Sequence, residues 1–168
     1  MEFPESSTTK FKLITTNLKT KIEEIFQNNK EINSLNLIVA FITLKGSRIL
    51  LEWIKNYSLQ NTKIKVLTGT YADFTHPDAL ELLSQQENIL IKILDTFDDF
   101  KLHAKAYFIE SPSLKLFILG SSNLTEGALT SNIEWNAIIE QFENPEYYAY
   151  CLEQFNYLWN NAIDLTKT

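Results

Sequence analysis

Very little in this chain could staple it, anchor it in a bilayer or coat it with charge of one sign. Its single cysteine, Cys151, excludes an intrachain disulfide and a cysteine zinc cluster. No apolar run reaches the length of a membrane span. The N-terminal MEFPESSTTKFK lacks a secretory hydrophobic core, so the expected compartment is the cytoplasm, without a membrane partner. Basic residues number 15 against 21 acidic ones, and the net charge of −6 argues against a protein coated in nucleic acid. A local basic groove stays compatible with that balance, because binding depends on where the lysines sit. Histidine is equally scarce, with only His76 and His103. No low-complexity linker divides the chain, and the segment around His103 and Lys105 has no internal repeat. A length of 168 residues with 45% hydrophobic and 21% charged residues fits one soluble globular domain, 1–168, with a polar, disordered start over 1–10.

The hydrophobic pattern predicts a helix over Thr16–Gln27 (Leu18, Ile22, Ile25, Phe26), then a strand over Leu35–Leu44 that is apolar on both faces. Lys45-Gly46-Ser47 punctuates, and Arg48–Tyr57 carries a helical stripe of Ile49, Leu50, Trp53 and Ile54. Lys63–Thr68 and Ile89–Leu94 read as strands around a helix opened by Thr75-His76-Pro77-Asp78, with Thr75 or His76 as cap and Pro77 in the first turn. This alternation predicts a parallel sheet with crossover helices. The second half differs: Leu102–Glu110 and Lys115–Leu119 are separated only by a hairpin-length loop, so they pair antiparallel. Ile133–Glu140 is a further strand after a short helical turn near Leu124–Leu129. From Asn144-Pro145-Glu146 a terminal helix follows, with Tyr147, Tyr148, Cys151, Phe155 and Trp159 as its core stripe. Trp53 and Trp135 read as packing residues. Lys10, Lys12, Lys19 and Lys21 read as a solvated face. The expected class is therefore α/β, a mixed, mainly parallel sheet flanked by helices.

Chemistry concentrates between Leu102 and Asn136, LHAKAYFIESPSLKLFILGSSNLTEGALTSNIEWN. Strand alternation puts His103, Lys105 and Tyr107 on one face, so an imidazole and an ammonium project side by side. The next strand ends at Gly120, where a tight turn would expose Ser121, Ser122 and Asn123. Free N–H groups of the turn after Asn123 would favour an anion. A nucleophile, a cation, amide and hydroxyl donors and the Glu134 carboxylate together make a set suited to phosphate. No cluster of carboxylates suggests a two-metal site, since Asp98-Asp99 stands apart from matching partners. No metal and no cofactor are expected.

His103-x-Lys105 followed by Gly120-Ser121-x-Asn123 closely resembles the HxK…GSxN signature of the phospholipase D superfamily, the HKD family. The similarity runs from about Leu35 to Asn136 and looks like the single-motif nuclease domain found alone, in restriction enzymes and beside some helicases. One departure is clear: the family's aspartate five residues after the lysine is Glu110 here, and in the family that acid is mainly a structural support. The resemblance implies a phospholipase D-like α/β sandwich and a metal-independent phosphodiesterase. His103 would attack phosphorus to give a phosphohistidine, with Lys105, Ser121 and Asn123 holding the phosphate oxygens. Glu134 would orient the His103 ring through its far nitrogen.

Such chemistry needs a second imidazole to protonate the leaving oxygen. With one signature and no matching lysine near His76, the economical source is a homodimer with a shared active site. DNA is the favoured substrate, with a helicase or specificity domain as a partner in a larger defence or repair system. The same cradle would serve a phospholipid or another phosphodiester. A catalytically silent domain that binds DNA or a protein partner is the third reading.

Overall fold

The structure is a computed structural model and describes residues 10–70, 74–141 and 146–165. Along the chain the elements are β1 (Lys10–Thr16), α1 (Leu18–Asn28), β2 (Ser34–Val39), α2 (Leu44–Asn56), β3 (Lys63–Thr68), α3 (Pro77–Ser84) and β4 (Ile89–Ile93). A small hairpin of β5 (Thr96–Phe97) and β6 (Phe100–Lys101) follows, then β7 (Ala106–Ser111), β8 (Leu114–Gly120), a π-helical turn (Gly127–Ser131), β9 (Ile133–Gln141), α4 (Glu146–Asn160) and β10 (Ile163–Asp164). Eight strands form one sheet in the order β1-β9-β8-β7-β2-β3-β4-β10.

The mixed α/β class predicted from the pattern is what forms. Parallel pairing runs through β2, β3 and β4, where crossover helices separate the strands. On the other flank β7, β8, β9 and β1 continue the sheet antiparallel, and β10 closes the far edge antiparallel to β4. The balance therefore leans further toward antiparallel pairing than expected, partly through β1, which the pattern did not reveal. Phe11 and Leu13 alternate with lysines there, but every residue of β1 except Ile14 is open to solvent. Residues 1–9, expected to be frayed, lie outside the described residues.

Two cores explain the layers. Leu18, Ile22, Ile25 and Phe26 of α1, Leu50 and Trp53 of α2, and Ala79 and Leu83 of α3 pack on one face of the sheet, against Leu37, Val66, Ile91, Ile109 and Ile118. Tyr148, Phe155 and Trp159 of α4 cover the other face over Ile38, Leu67, Phe108 and Phe117. β2 is buried on both faces, which is why its sequence is a continuous apolar run. The α4 stripe is core only in part: Tyr147 faces solvent, as do Tyr150 and Tyr157 outside the stripe.

Helix ends obey their capping chemistry. Asn17 starts α1 from a left-handed conformation (φ 50°) and accepts from the Thr20 N–H at 3.3 Å. Of the two cap candidates for α3, His76 takes the position, its Nδ1 accepting from Asp78 N–H at 3.2 Å, with Pro77 in the first turn. Thr75 instead donates to the Gly69 carbonyl at 2.6 Å. α2 begins earlier than its apolar stripe suggested, capped by Thr43, so Gly46 and Ser47 lie inside the helix rather than before it.

Candidate active site

The register brings one end of every central strand to a common edge. Val39 pairs with Thr68 and Thr68 with Ile93 where the parallel strands end. Beside them Ile38 pairs with Ala106, Ala106 with Leu119, and Gly120 with Asn136. The segment entering β7, the segment leaving β8 and the start of β9 thus meet at the carboxyl ends of the parallel strands. Open α/β sheets bind ligands along that edge.

His103 and Lys105 precede β7 rather than lying inside it, because regular pairing begins at Ala106. The segment is nevertheless held at both ends: Leu102 N–H donates to Asp95 O at 2.9 Å, and Gly120 N–H to Lys105 O at 3.2 Å. Alternation survives the irregularity, since Leu102 and Ala106 join the α4 core while Tyr107 enters the opposite one. His103 is left exposed and Lys105 half-buried beside it. Lys105 Nζ donates to His103 Nδ1 at 2.8 Å and to the His103 carbonyl at 2.7 Å, with Nε2 at 3.3 Å. Burial holds the Lys105 ammonium below the usual lysine range, and the negative charge of Glu134 works in the opposite direction.

Asn123 is buried, and its Oδ1 accepts from the N–H groups of Ala40 at 2.9 Å and Phe41 at 3.3 Å. Those are backbone donors just past the end of β2, so the side chain ties the motif loop to the parallel strands. Fixing the carbonyl end leaves Nδ2 as the donor end of the amide. Ser121 is engaged within the sheet edge: its hydroxyl donates to the Glu134 carboxylate and accepts from Trp135 N–H at 3.1 Å. The other Glu134 oxygen accepts from Asn132 Nδ2 at 3.4 Å. Glu134 therefore sits on the β8–β9 side of the edge, its charge reaching Lys105, and Lys105 meets the imidazole.

Glu110 lies at the opposite end of β7 from this edge. It accepts from Lys115 at 2.5 Å and from Ser34 at 3.1 Å, clamping β2, β7 and β8 together. That placement suits the structural role implied for this acid. His76 is accounted for by its cap. Gly120 does not adopt positive φ, as a tight-turn reading implies; glycine is required there by close approach, since a Cβ would lie 2.2 Å from Trp135 O. The turn after Asn123 offers fewer free N–H groups than expected, because Thr125 accepts from Ala128 and Leu129, each at 3.1 Å.

Three features of the site's surroundings escaped the sequence reading. Tyr107 is fully buried and its hydroxyl donates to Ser122 O at 3.0 Å. Burial first, and the Glu134 charge second, push its phenol far above the usual range, so it remains a donor. Ser122 and Asn136 form a buried pair, Asn136 Nδ2 donating to Ser122 Oγ at 2.9 Å. The β5–β6 hairpin, standing immediately before His103, is the third. Trp135 also departs from expectation: it is 64% exposed rather than packed.

The family described as "Cardiolipin synthase, PLD-like domain" matches residues 21–159, which contain every residue discussed above as part of the edge. The chain belongs to this PLD-like family. Among solved structures it is similar to NucT from Helicobacter pylori, with 12% identity, TM-score 0.70, and coverage of 94% of this chain and 99% of that one. It is also similar to the phospholipase D family member Nuc from Salmonella typhimurium, at 17% identity, TM-score 0.64, and coverage of 93% and 97%. Phosphatidylserine synthase from Haemophilus influenzae matches with 13% identity and TM-score 0.66, covering 99% of this chain and 42% of that one. These likenesses establish a shared fold. No curated protein sequence matches the chain.

Proposed function

We propose that this PLD-like protein is a phosphodiesterase that cuts DNA without a divalent metal, through a phosphohistidine on His103. The carrying observation is the His103–Lys105 pair at the carboxyl edge of the parallel strands, 2.8 Å apart at Nδ1 and Nζ. An ammonium donates, and a ring nitrogen that accepts from it carries the lone pair required of a nucleophile. A bound phosphate competes for Lys105, drawing the ammonium from the ring to the non-bridging oxygens. A ring nitrogen of His103 then attacks phosphorus, the bond to the leaving oxygen breaks, and a second imidazole delivers the proton. Water next attacks the phosphohistidine, giving its proton to that second imidazole as the P–N bond breaks. Lys105 and the Nδ2 end of Asn123 offset the charge that develops on the oxygens. Glu134, held in place by Ser121 and Asn132, is the carboxylate assigned to orienting the His103 ring.

The second imidazole is the partner's His103 in a homodimer. A surface suited to a second copy adjoins the edge. Ile133 and Trp135 of β9, Leu119 of β8, and Phe11 and Leu13 of β1 all point to the α4 side of the sheet, beyond the reach of α4 itself. They are 81%, 64%, 41%, 68% and 41% exposed. A contiguous apolar face of this kind marks an interaction site, and Trp135 is joined to Ser121 at the catalytic edge.

DNA is favoured by the resemblance of Leu35–Asn136 to single-motif nuclease domains. Metal-free chemistry is supported by the donor set itself, in which Lys105 occupies the charge-neutralising position. The test is incubation with plasmid and oligonucleotide DNA in EDTA, alongside phospholipid vesicles. Cutting of DNA in EDTA supports the reading. Activity that needs Mg²⁺, release of lipid headgroup alone, or a mobility shift without cutting overturns it.

A further inference from the structure

The β5–β6 hairpin has no role in the chemistry above, yet it stands against the nucleophile. Its turn residues Asp98 and Asp99 both have positive φ, 48° and 66°, the geometry of the tightest two-residue hairpins. Phe97 anchors it by an edge-on contact with Tyr157 of α4 at 5.5 Å, and Leu102 N–H closes its base onto Asp95 O. Phe100, directly opposite Phe97, is left 79% exposed. The hairpin thus presents a large aromatic ring to solvent in the same cleft as His103. Between hairpin and helix lies a cleft of about 480 Å³, lined by Phe97, Phe100, Leu102 and Ala104, with Asp98 and His103 also in its wall. The size is that of a small-ligand site.

We propose that this cleft receives an unpaired nucleobase next to the scissile phosphate, with Phe100 as its stacking surface. The inference rests on the nuclease reading of His103 and deepens it by naming the substrate class as single-stranded nucleic acid. Every base has a π-face, so stacking on Phe100 tolerates any sequence. The Asp98 carboxylate is an acceptor suited to base N–H groups rather than to phosphate, which Lys105 holds. A base seated this way has its pairing edge turned into protein, so an intact duplex cannot use the cleft.

The test compares wild type with Phe100→Ala, Phe100→Leu and Phe100→Trp on three substrates: a single-stranded oligonucleotide, the same sequence as duplex, and bis(p-nitrophenyl) phosphate. Light scattering records the mass of each variant. The wild type should prefer the single strand. Phe100→Ala should lose roughly tenfold in kcat/KM on it, in keeping with the worth of one base–aromatic stack. Phe100→Trp should restore cleavage and Phe100→Leu should not, while every variant still hydrolyses the small diester. An unaffected Phe100→Ala, rescue by leucine, or equal cutting of duplex and single strand overturns the inference and leaves the phosphodiesterase reading standing. A change of mass in Phe100→Ala overturns it by assigning the hairpin to the contact between copies. A wild type inert toward both oligonucleotide and small diester overturns the underlying reading, and this inference with it.

Discussion

Substituting alanine for Gly46 separates packing from helix propensity, because the two predict opposite signs. Gly46 sits in the first turn of α2, where the alanine methyl should stabilise by about 1 kcal/mol on intrinsic propensity. The first turn also lies directly on the motif loop: Thr43 N–H donates to Leu124 O at 3.2 Å, and Ile42 bridges to Leu124. A Cβ on Gly46 would meet Leu124 O at 1.8 Å, Leu124 C at 2.4 Å and Thr125 N at 2.9 Å. All three are backbone atoms, which cannot swing aside as a flexible side chain would. Restoring ordinary contact, about 3.5 Å, requires the helix and loop to part by on the order of 1.5 Å. Overpacking against unyielding backbone falls at the upper end of its usual cost, about 2–3 kcal/mol, so after the propensity gain a net loss of roughly 1–2 kcal/mol is expected. For a chain of this size that is about 3–6 °C in Tm. The loop that moves carries Asn123, whose clasp on Ala40 and Phe41 aligns β8 with the parallel strands. A shift near 1 Å at a catalytic group costs about 100-fold in rate. Gly46→Ala should therefore melt earlier and cleave a phosphodiester about 100-fold more slowly, although Gly46 touches no substrate. Thermal melts followed by circular dichroism and initial rates decide the matter. A Gly46→Ala protein that is more stable than wild type and fully active would refute the reasoning.

His103→Ala should abolish cleavage by many orders of magnitude while keeping the wild-type melting curve, as expected of an exposed residue proposed as the nucleophile; turnover by folded protein at the wild-type rate removes the mechanism. Because burial lowers Lys105, the free enzyme should lose its ammonium at lower pH than an ordinary lysine, and kcat/KM should fall correspondingly early on the alkaline side. Lys105→Arg, which stays charged, should move that limb to higher pH at a reduced plateau, and an unmoved limb counts against the assignment. The same shift has a stability sign: the unfolded state binds the proton more tightly, so the penalty of burying the charge is fully present below the folded pKa and relieved as pH rises through it. Trp135→Asp places a charge on the exposed apolar face beside Ser121 and should yield a folded monomer without activity; a dimeric, active variant on light scattering and assay moves the interface elsewhere.

The sequence by itself determined the layered class and singled out the candidate site residues. Apolar periodicity is a local property, and β2, β3 and β4 are buried on enough of their surface to display it. His103, Lys105, Asn123 and Glu134 stood out as candidates because their types and order together resemble the HxK…GSxN signature. Strand alternation correctly predicted that imidazole and ammonium would meet, even though the segment is not itself a paired strand. β1 was hidden because its apolar residues face an uncovered part of the sheet and so mimic an ordinary polar terminus. Trp135 was misjudged for the same reason, since a pattern of apolar residues does not say whether a helix reaches far enough to cover them. Only tertiary structure could show that Asn123 clasps β2, 83 residues distant, that Ser121 is engaged with Glu134, or that Gly46 is a glycine for the sake of Leu124. It alone set Glu110 at the far end of β7 and placed Phe100 over a cleft whose wall includes His103. Local sequence specifies which face of an element is apolar and which residue types are available. Which of them become neighbours is decided by register and layer packing, which couple residues far apart in the chain.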